Sequence, residues 1–339
     1  MKAAVFYGPG DIRIVERPKP KIDDNQILVK TLAAGVCSTD LRIFLGLKKR
    51  GVRLGGIIGH ELAGEIVQVG EKWKSLFKLG QYITVAPVIP CLKCSACIRG
   101  MENVCENRTA IGYEYDGAFA EYVVLPEPLI RVGNIFPLPD NLRLEVAALI
   151  EPLACVVNSY HKGEINVGEK VLIIGAGFMG LLHVIVYKMK GAKVFVVEPN
   201  LERTQVAKSL GADFVVNDIS QIPKTQKFLV AVITIGLTKT VEKVINFLER
   251  GGILNLFAGF TESQSIACID VNAIHYHELL LTGSSAARRK DFIEAIEIAR
   301  TKEKCLLKLV THKFTLEHLN EALDLQKKGI GIKKIIIFD

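Results

Sequence analysis

VLIIGAGFMG, residues 171–180, sets an uncharged apolar run directly against a glycine-rich turn. The aliphatic run Val171–Ile174 reads as a strand covered on both faces, because such strands lose the polar alternation of a half-exposed sheet. Gly175, Gly177 and Gly180 then give G-x-G-x-x-G, with Phe178 and Met179 at the two variable positions before the last glycine. Gly175 permits the tight turn, Gly177 lets backbone approach a pyrophosphate, and Gly180 allows close helix–strand packing. The helix opening there would turn free amides and partial positive charge towards phosphates. Glu198 ends the next apolar run, 18 residues past Gly180. A carboxylate at that place accepts hydrogen bonds from both ribose hydroxyls and repels a 2′-phosphate, which favours NAD over NADP. Arg203, five residues on, either stacks on the adenine or covers its own helix. The plain alternative is a packing turn with Glu198 merely exposed.

On both sides of this stretch the rhythm changes. From about 165 to 285 apolar strands alternate with helices (VLIIGAG, KVFVVE, FVVN, VAVITIG, GGILNLFAG), which implies a doubly wound parallel sheet. Before residue 150 the runs are short and β-rich, at Gln26–Leu32, Leu62–Val69, Gln81–Val85 and Ala118–Val124, broken by Gly and Pro as in an antiparallel barrel-like domain. Two helical stretches, Asp291–Ala299 and Leu316–Lys327, precede a closing strand, KKIIIF, that lacks a partner in the tail. That strand is expected to return to the first domain. The division is therefore 1–150 with 286–339 as one domain and 151–285 as the other.

The 339 residues are 49% hydrophobic and 23% charged, a composition suited to a soluble globular protein of two domains. Val171–Tyr187 carries no formal charge, but its 17 residues are at the short limit of a membrane span and contain three glycines. The Met1–Val15 start reads as strand, turn, strand and not as a secretory signal, so a cytoplasmic location is expected. A net charge of +7 is modest at this length, and its densest clusters are only Lys48-Lys49-Arg50 and Arg288-Arg289-Lys290. No nucleic-acid face or membrane contact is expected from so dispersed a charge. A mild positive field suits an anionic cofactor.

Cys91, Cys94, Cys97 and Cys105 give C-x2-C-x2-C-x7-C within one lobe, about 88–108. Four thiolates satisfy a tetrahedral zinc, with sulfur at about 2.3 Å from the metal. A ferredoxin-type run would close with a three-residue gap and a proline. Here the gap is seven and Glu106 follows, which favours zinc over an iron–sulfur cluster, a redox pair or disulfides. Four sulfurs leave no open position, so such a site holds shape and does no chemistry.

An open site has to come from elsewhere. Cys37 lies in GVCSTD and His60 in a glycine-flanked segment, Gly59-His60-Glu61-x2-Gly64-x5-Gly70. A catalytic zinc keeps three protein ligands and one free position. Cys37 and His60 supply a thiolate and an imidazole, and the third ligand is a carboxylate, either Glu61 or Glu151 in EPLAC. Cys155, Cys268 and Cys305 stand in apolar contexts and read as core packing. His275 and His277 form an H-x-H pair without a third ligand nearby and read as surface or interface residues.

Taken together and in this order, the glycine-flanked His-Glu, the upstream Cys-x-Thr-Asp, the four-cysteine lobe and the glycine fingerprint resemble the zinc-containing medium-chain alcohol dehydrogenase family. The resemblance covers essentially the whole chain. It implies a GroES-like catalytic domain beside a Rossmann domain, two zinc ions per subunit (one catalytic, one structural), NAD, and a homo-oligomer, either dimer or tetramer. Cys37, His60 and Glu151 match the family's catalytic-zinc ligands; Glu61 is a ligand in some members and stands behind the ligands in others. Thr39 matches the hydroxyl that relays the alcohol proton. Glu-Pro-Leu at 151–153 is similar to the polyol (sorbitol-type) and threonine dehydrogenase branch, which implies hydride transfer from a secondary alcohol, polyol or sugar-derived, to NAD. The alternatives are L-threonine oxidation at its β-hydroxyl and, in another class, a non-catalytic NAD-binding protein. The chain departs from the pattern at Arg42, where many relatives have a proton-passing histidine, at Gln81 and Trp73, and at Ser284–Ala287, which lacks the Arg-Tyr pair of animal sorbitol dehydrogenases.

Overall fold

Six parallel strands make the sheet to which the 171–174 run belongs. In spatial order they are Phe214–Val216, Lys193–Val197, Lys170–Ile174, Phe228–Ile233, Leu248–Leu256 and Leu280–Gly283. The chain starts in the middle, winds to one edge, then crosses back and winds to the other, the doubly wound order of a Rossmann sheet. These elements are seen in a computed structural model that describes all residues from Met1 to Asp339. The helix Phe178–Met189 follows the central strand and is buried along Gly180–Tyr187, which is why that stretch carries no charge. No helix is long and apolar enough to cross a membrane. The core of this unit packs Leu172, Ile174, Phe228, Ile233, Val241 and Leu254. It spans Cys155–Ser285 as one compact unit.

The other compact unit joins Met1–Ala154 to Ala286–Asp339. Its main sheet has seven strands, ordered Ile135–Pro137, Tyr82–Val85, Glu61–Val69, Ile27–Gly35, Lys333–Ile337 and Val310–Phe314, with Tyr122–Leu125 also paired to Ile27–Gly35. The closing strand Lys333–Ile337 runs antiparallel to Ile27–Gly35, with Ile335 opposite Gly35. Trp73 packs against this core, and its indole N–H donates to the Asn25 carbonyl at 2.8 Å.

Two expectations need correction. The strand expected over Ala118–Val124 covers only Tyr122–Leu125. Gly117, Ala118 and Phe119 instead donate to the carbonyls of Ile57, Gly59 and Ile58, so their amides brace the approach to His60. The helical stretch expected over Leu316–Lys327 is present, its first turn 3-10 at Leu316–His318 and the rest the α-helix Leu319–Lys327. Cys268 is exposed, while Cys155 and Cys305 are half-buried. The Cys268 backbone donates to the Glu242 carboxylate at 2.9 Å, which ties its loop to the surface rather than the core.

Candidate functional site

The antiparallel pairing of Ile27–Gly35 with Glu61–Val69 places Gly35 opposite Glu61. Cys37 lies two residues past one partner and His60 one residue before the other, so the register itself brings them to the same end of the sheet. Glycine is required at both approaches. A Cβ on Gly35 would sit 1.8 Å from Glu61 Oε2, and one on Gly59, at φ +97°, would meet the Phe119 ring at 2.9 Å. The ligand atoms of Cys37, His60 and Glu61 all lie within 4.8 Å of one another.

Asp40 organises two of these groups. Its Oδ2 accepts the Cys37 backbone N–H at 2.8 Å, while Oδ1 lies 3.4 Å from His60 Nδ1, too poorly aligned for a hydrogen bond. Burial pushes the His60 imidazolium down, yet Asp40, Tyr113 and Cys37 outweigh it and raise the pKa well above the ordinary value. The Tyr113 ring lies 5.9 Å from the His60 ring, and burial together with the surrounding anions raises its phenol to about 12. Glu61 Oε2 forms an ion pair with the buried Lys333 ammonium without hydrogen-bond alignment, and that ammonium donates to the Val36 carbonyl at 3.0 Å. Thus His60 Nδ1, Asp40 Oδ1 and Glu61 Oε2 are buried polar atoms without a hydrogen bond. Glu61 Oε2 is answered by the Lys333 ion pair, so the atoms left unanswered beside the Cys37 thiol are those of His60 and Asp40, and a thiol, an imidazole and nearby carboxylates are a donor set that a divalent cation takes up.

Glu151 sits in the first turn of the helix Ile150–Tyr160, half-buried, and is not part of that close group; its charge acts on Tyr113. Thr39 follows Cys37 in the helix Ser38–Phe44, and its backbone N–H points at Cys37 Sγ, 3.4 Å away.

The four-cysteine lobe holds its sulfurs within 4.8 Å of one another, with Cys94 Sγ at 3.5 Å from Cys97 Sγ and 3.8 Å from Cys105 Sγ. A disulfide would need about 2.05 Å. Sulfurs on a tetrahedron with bonds of about 2.3 Å are about 3.8 Å apart, so the spacing fits zinc. Backbone donors at Lys93 and Cys94 bring Cys91 down to about 6, while burial takes Cys97 up to about 12. Four thiols in one place ionise together only around a cation.

In the other unit, Gly175 adopts φ +95°, and a Cβ there would meet Ile235 and Thr234 within 2.8 Å. A Cβ on Gly180 would sit 1.9 Å from the Gly175 carbonyl oxygen, whereas Gly177 faces open space. The helix Phe178–Met189 begins there. Glu198 is buried; Oε2 accepts the Ala176 N–H at 2.7 Å and Oε1 accepts the Asn200 N–H at 2.9 Å. Each oxygen retains a second lone pair for a ribose hydroxyl. Arg203 lies on the helix Leu201–Ser209, half-buried.

Two family models match. Residues 23–140 match the alcohol dehydrogenase GroES-like domain and residues 179–301 the zinc-binding dehydrogenase domain. The chain belongs to the zinc-containing medium-chain alcohol dehydrogenase family. This dehydrogenase is similar to L-threonine 3-dehydrogenase of Pyrococcus furiosus, with 32% identity over 97% of this chain and 95% of the relative. It is 30% identical to sorbitol dehydrogenase of Bombyx mori, over 98% and 97% of the two chains. An alcohol dehydrogenase structure from E. coli CFT073, complexed with NADH, superposes with a TM-score of 0.89 at 27% identity and covers 100% of this chain and 99% of its own. Reading the sequence gave no role to Tyr113, to Lys333 or to Glu198 as a brace for the glycine loop. Lys333 left a trace: a lysine pair heading an otherwise apolar strand signals a buried ion pair.

Proposed function

We propose that this dehydrogenase transfers hydride from a secondary alcohol, a polyol or sugar-derived substrate, to NAD, using a zinc held by Cys37, His60 and a carboxylate. The observation that carries the reading is the convergence of Cys37, His60 and Glu61 in a chain that also bears the glycine loop braced by Glu198. That carboxylate is Glu61 or Glu151: Glu61 stands in the close group but is answered by the Lys333 ammonium, and Glu151 matches the family's ligand position. The lobe of Cys91, Cys94, Cys97 and Cys105 holds a second, structural zinc, and the subunits form a dimer or tetramer. When bound, zinc supplies the Lewis acidity that lowers a hydroxyl pKa, and NAD accepts the hydride.

The chain's own residues handle position and protons. Thr39 takes the hydroxyl proton at its Oγ1 and passes it outward. A guanidinium cannot give up and retake a proton, so the onward path does not use Arg42. Asp40 fixes the Cys37 backbone and faces the His60 ring, holding both ligands in register. Glu198 receives the adenosine ribose, and its charge disfavours a 2′-phosphate. The likeness to L-threonine 3-dehydrogenase supports a second reading, oxidation of L-threonine, whose hydroxyl is also secondary.

The test is NAD reduction against polyols, inositols, sugar acids and L-threonine, with Cys37→Ala as control. Turnover is expected with at least one panel member and is lost in Cys37→Ala, while NAD affinity stays within about twofold. Full activity in that variant overturns the zinc assignment.

A further inference from the structure

Between Asp40 and His60 the chain carries five cations, Arg42, Lys48, Lys49, Arg50 and Arg53, and no acid. Only Arg53 forms an ion pair, donating to Asp116 at 2.5 Å. The Arg50 guanidinium reaches a backbone carbonyl, that of Glu106, at 3.4 Å. A solvated basic loop would let its lysines trail into water. Lys48 does not: it is half-buried, with Nζ over the Tyr113 ring at 5.8 Å from the centroid, and that ring lies 5.9 Å from His60. The two distances laid end to end put the ammonium within reach of one small molecule whose other end is at His60.

The surroundings of Lys48 are positive. Burial and the charges of Arg108, Arg50 and Arg42 lower its pKa from the ordinary value. Glu114 is the opposing acid, and its Oε2 already accepts the Ala110 N–H at 2.9 Å. Of these cations only Lys48 is half-buried, Arg42, Arg50 and Arg108 being exposed, and an anion beside its ammonium offsets both the burial and the like charge. A guanidinium-rich rim suits the oxygens of a phosphate or carboxylate, and it also draws such molecules in from solution.

We infer that the substrate is an anionic alcohol, whose hydroxyl sits at Cys37 and His60 while a phosphate or carboxylate on the same molecule faces Lys48. This rests on the proposed dehydrogenase activity and names its substrate class.

The zinc-loaded enzyme is assayed with a neutral polyol, the matching sugar acid and the matching polyol phosphate. At least one anionic form is expected to exceed the neutral one by about tenfold or more in kcat/KM, chiefly through KM, and raising ionic strength from about 0.02 to 0.2 M erodes that preference. A larger effect for phosphate or for carboxylate says which anion the rim is built for. Lys48→Gln lowers the anion-to-neutral ratio of kcat/KM by about tenfold, and Lys48→Arg restores most of it. Inorganic phosphate alone, measured by calorimetry, binds Lys48→Gln at least about fivefold more weakly than wild type. A neutral polyol oxidised as well as both anions overturns this inference and leaves the dehydrogenase reading intact. Oxidation of none of the three, in enzyme shown to hold zinc and bind NAD, overturns both.

Discussion

The Glu198 carboxylate accepts the backbone N–H of Ala176 at 2.7 Å, tying the end of one parallel strand to the glycine turn after its neighbour. The same carboxylate therefore shapes the loop and is placed to receive a ribose. Glu198→Ala leaves a buried amide unpaired, which costs about 1–3 kcal/mol. It also raises the KM for NAD by about tenfold or more. Glu198→Gln keeps an acceptor and removes the charge, so NADP becomes usable. Thermal unfolding and the KM for both cofactors check this; an unchanged KM for NAD in Glu198→Ala sinks the ribose role.

Asp40 gives a second prediction, because it touches the Cys37 backbone and faces His60 from the same carboxylate. Asp40→Asn keeps an acceptor for the Cys37 amide and loses the charge beside the imidazole. Zinc affinity of the reactive site is expected to fall by about 10–100-fold, read by competition with a chromogenic chelator. If Asp40→Asn retains zinc as tightly as wild type, the carboxylate serves only to cap its helix.

The doubly wound sheet was legible because its signal is local. Val171–Ile174, the glycine turn and the uncharged helix lie side by side in sequence and are buried as a block. The four-cysteine spacing was legible for the same reason. The buried environment of Glu61 was not, since Lys333 arrives from 272 residues away through strand pairing. Tyr113 likewise meets His60 beside a segment, Gly117–Phe119, whose amides bind the Ile57–Gly59 carbonyls in place of the expected strand. Spacing reports ligands that one turn presents; it carries little about partners assembled across a sheet.

Choice of the third ligand is testable through two matched substitutions. Glu61 is answered by Lys333, so Glu61→Gln leaves a buried ammonium without its anion and should unfold more readily, by about 3–5 kcal/mol. Glu151→Gln is half-buried and should cost little stability yet strip the reactive zinc. Metal content by mass spectrometry and urea unfolding separate the two. Full zinc retention in Glu151→Gln transfers the ligand role to Glu61.

The lobe should behave in the opposite sense to the reactive site. In the proposed reading Cys97→Ser breaks a closed four-sulfur shell and lowers zinc content by about one per chain. The melting temperature falls, because binding free energy at a structural site is folding free energy. Turnover per folded molecule at low temperature should stay within about threefold. Loss of turnover without loss of stability would place the lobe in the chemistry and overturn its structural role.

His183 supplies a pH dependence that needs no metal. Its ring is buried, with Nδ1–H donating to the Met179 carbonyl at 2.8 Å and Nε2 accepting from the Ser159 hydroxyl at 2.8 Å. Ser159 in turn accepts from Asn255, whose carbonyl accepts from Ser284. Burial lowers the His183 pKa to about 4, below the ordinary 6.5. Between those values the unfolded chain binds a proton that the folded chain does not, so stability is intact above pH 6.5 and declines as pH falls towards 4. The loss amounts to about 3 kcal/mol over that window and stops below it. His183→Gln removes the titrating ring, and its unfolding free energy should fall less steeply between pH 7 and 4 by about that amount, whatever its starting stability. Equal pH slopes for wild type and His183→Gln in urea unfolding would show that the folded ring already takes up its proton near 6.5.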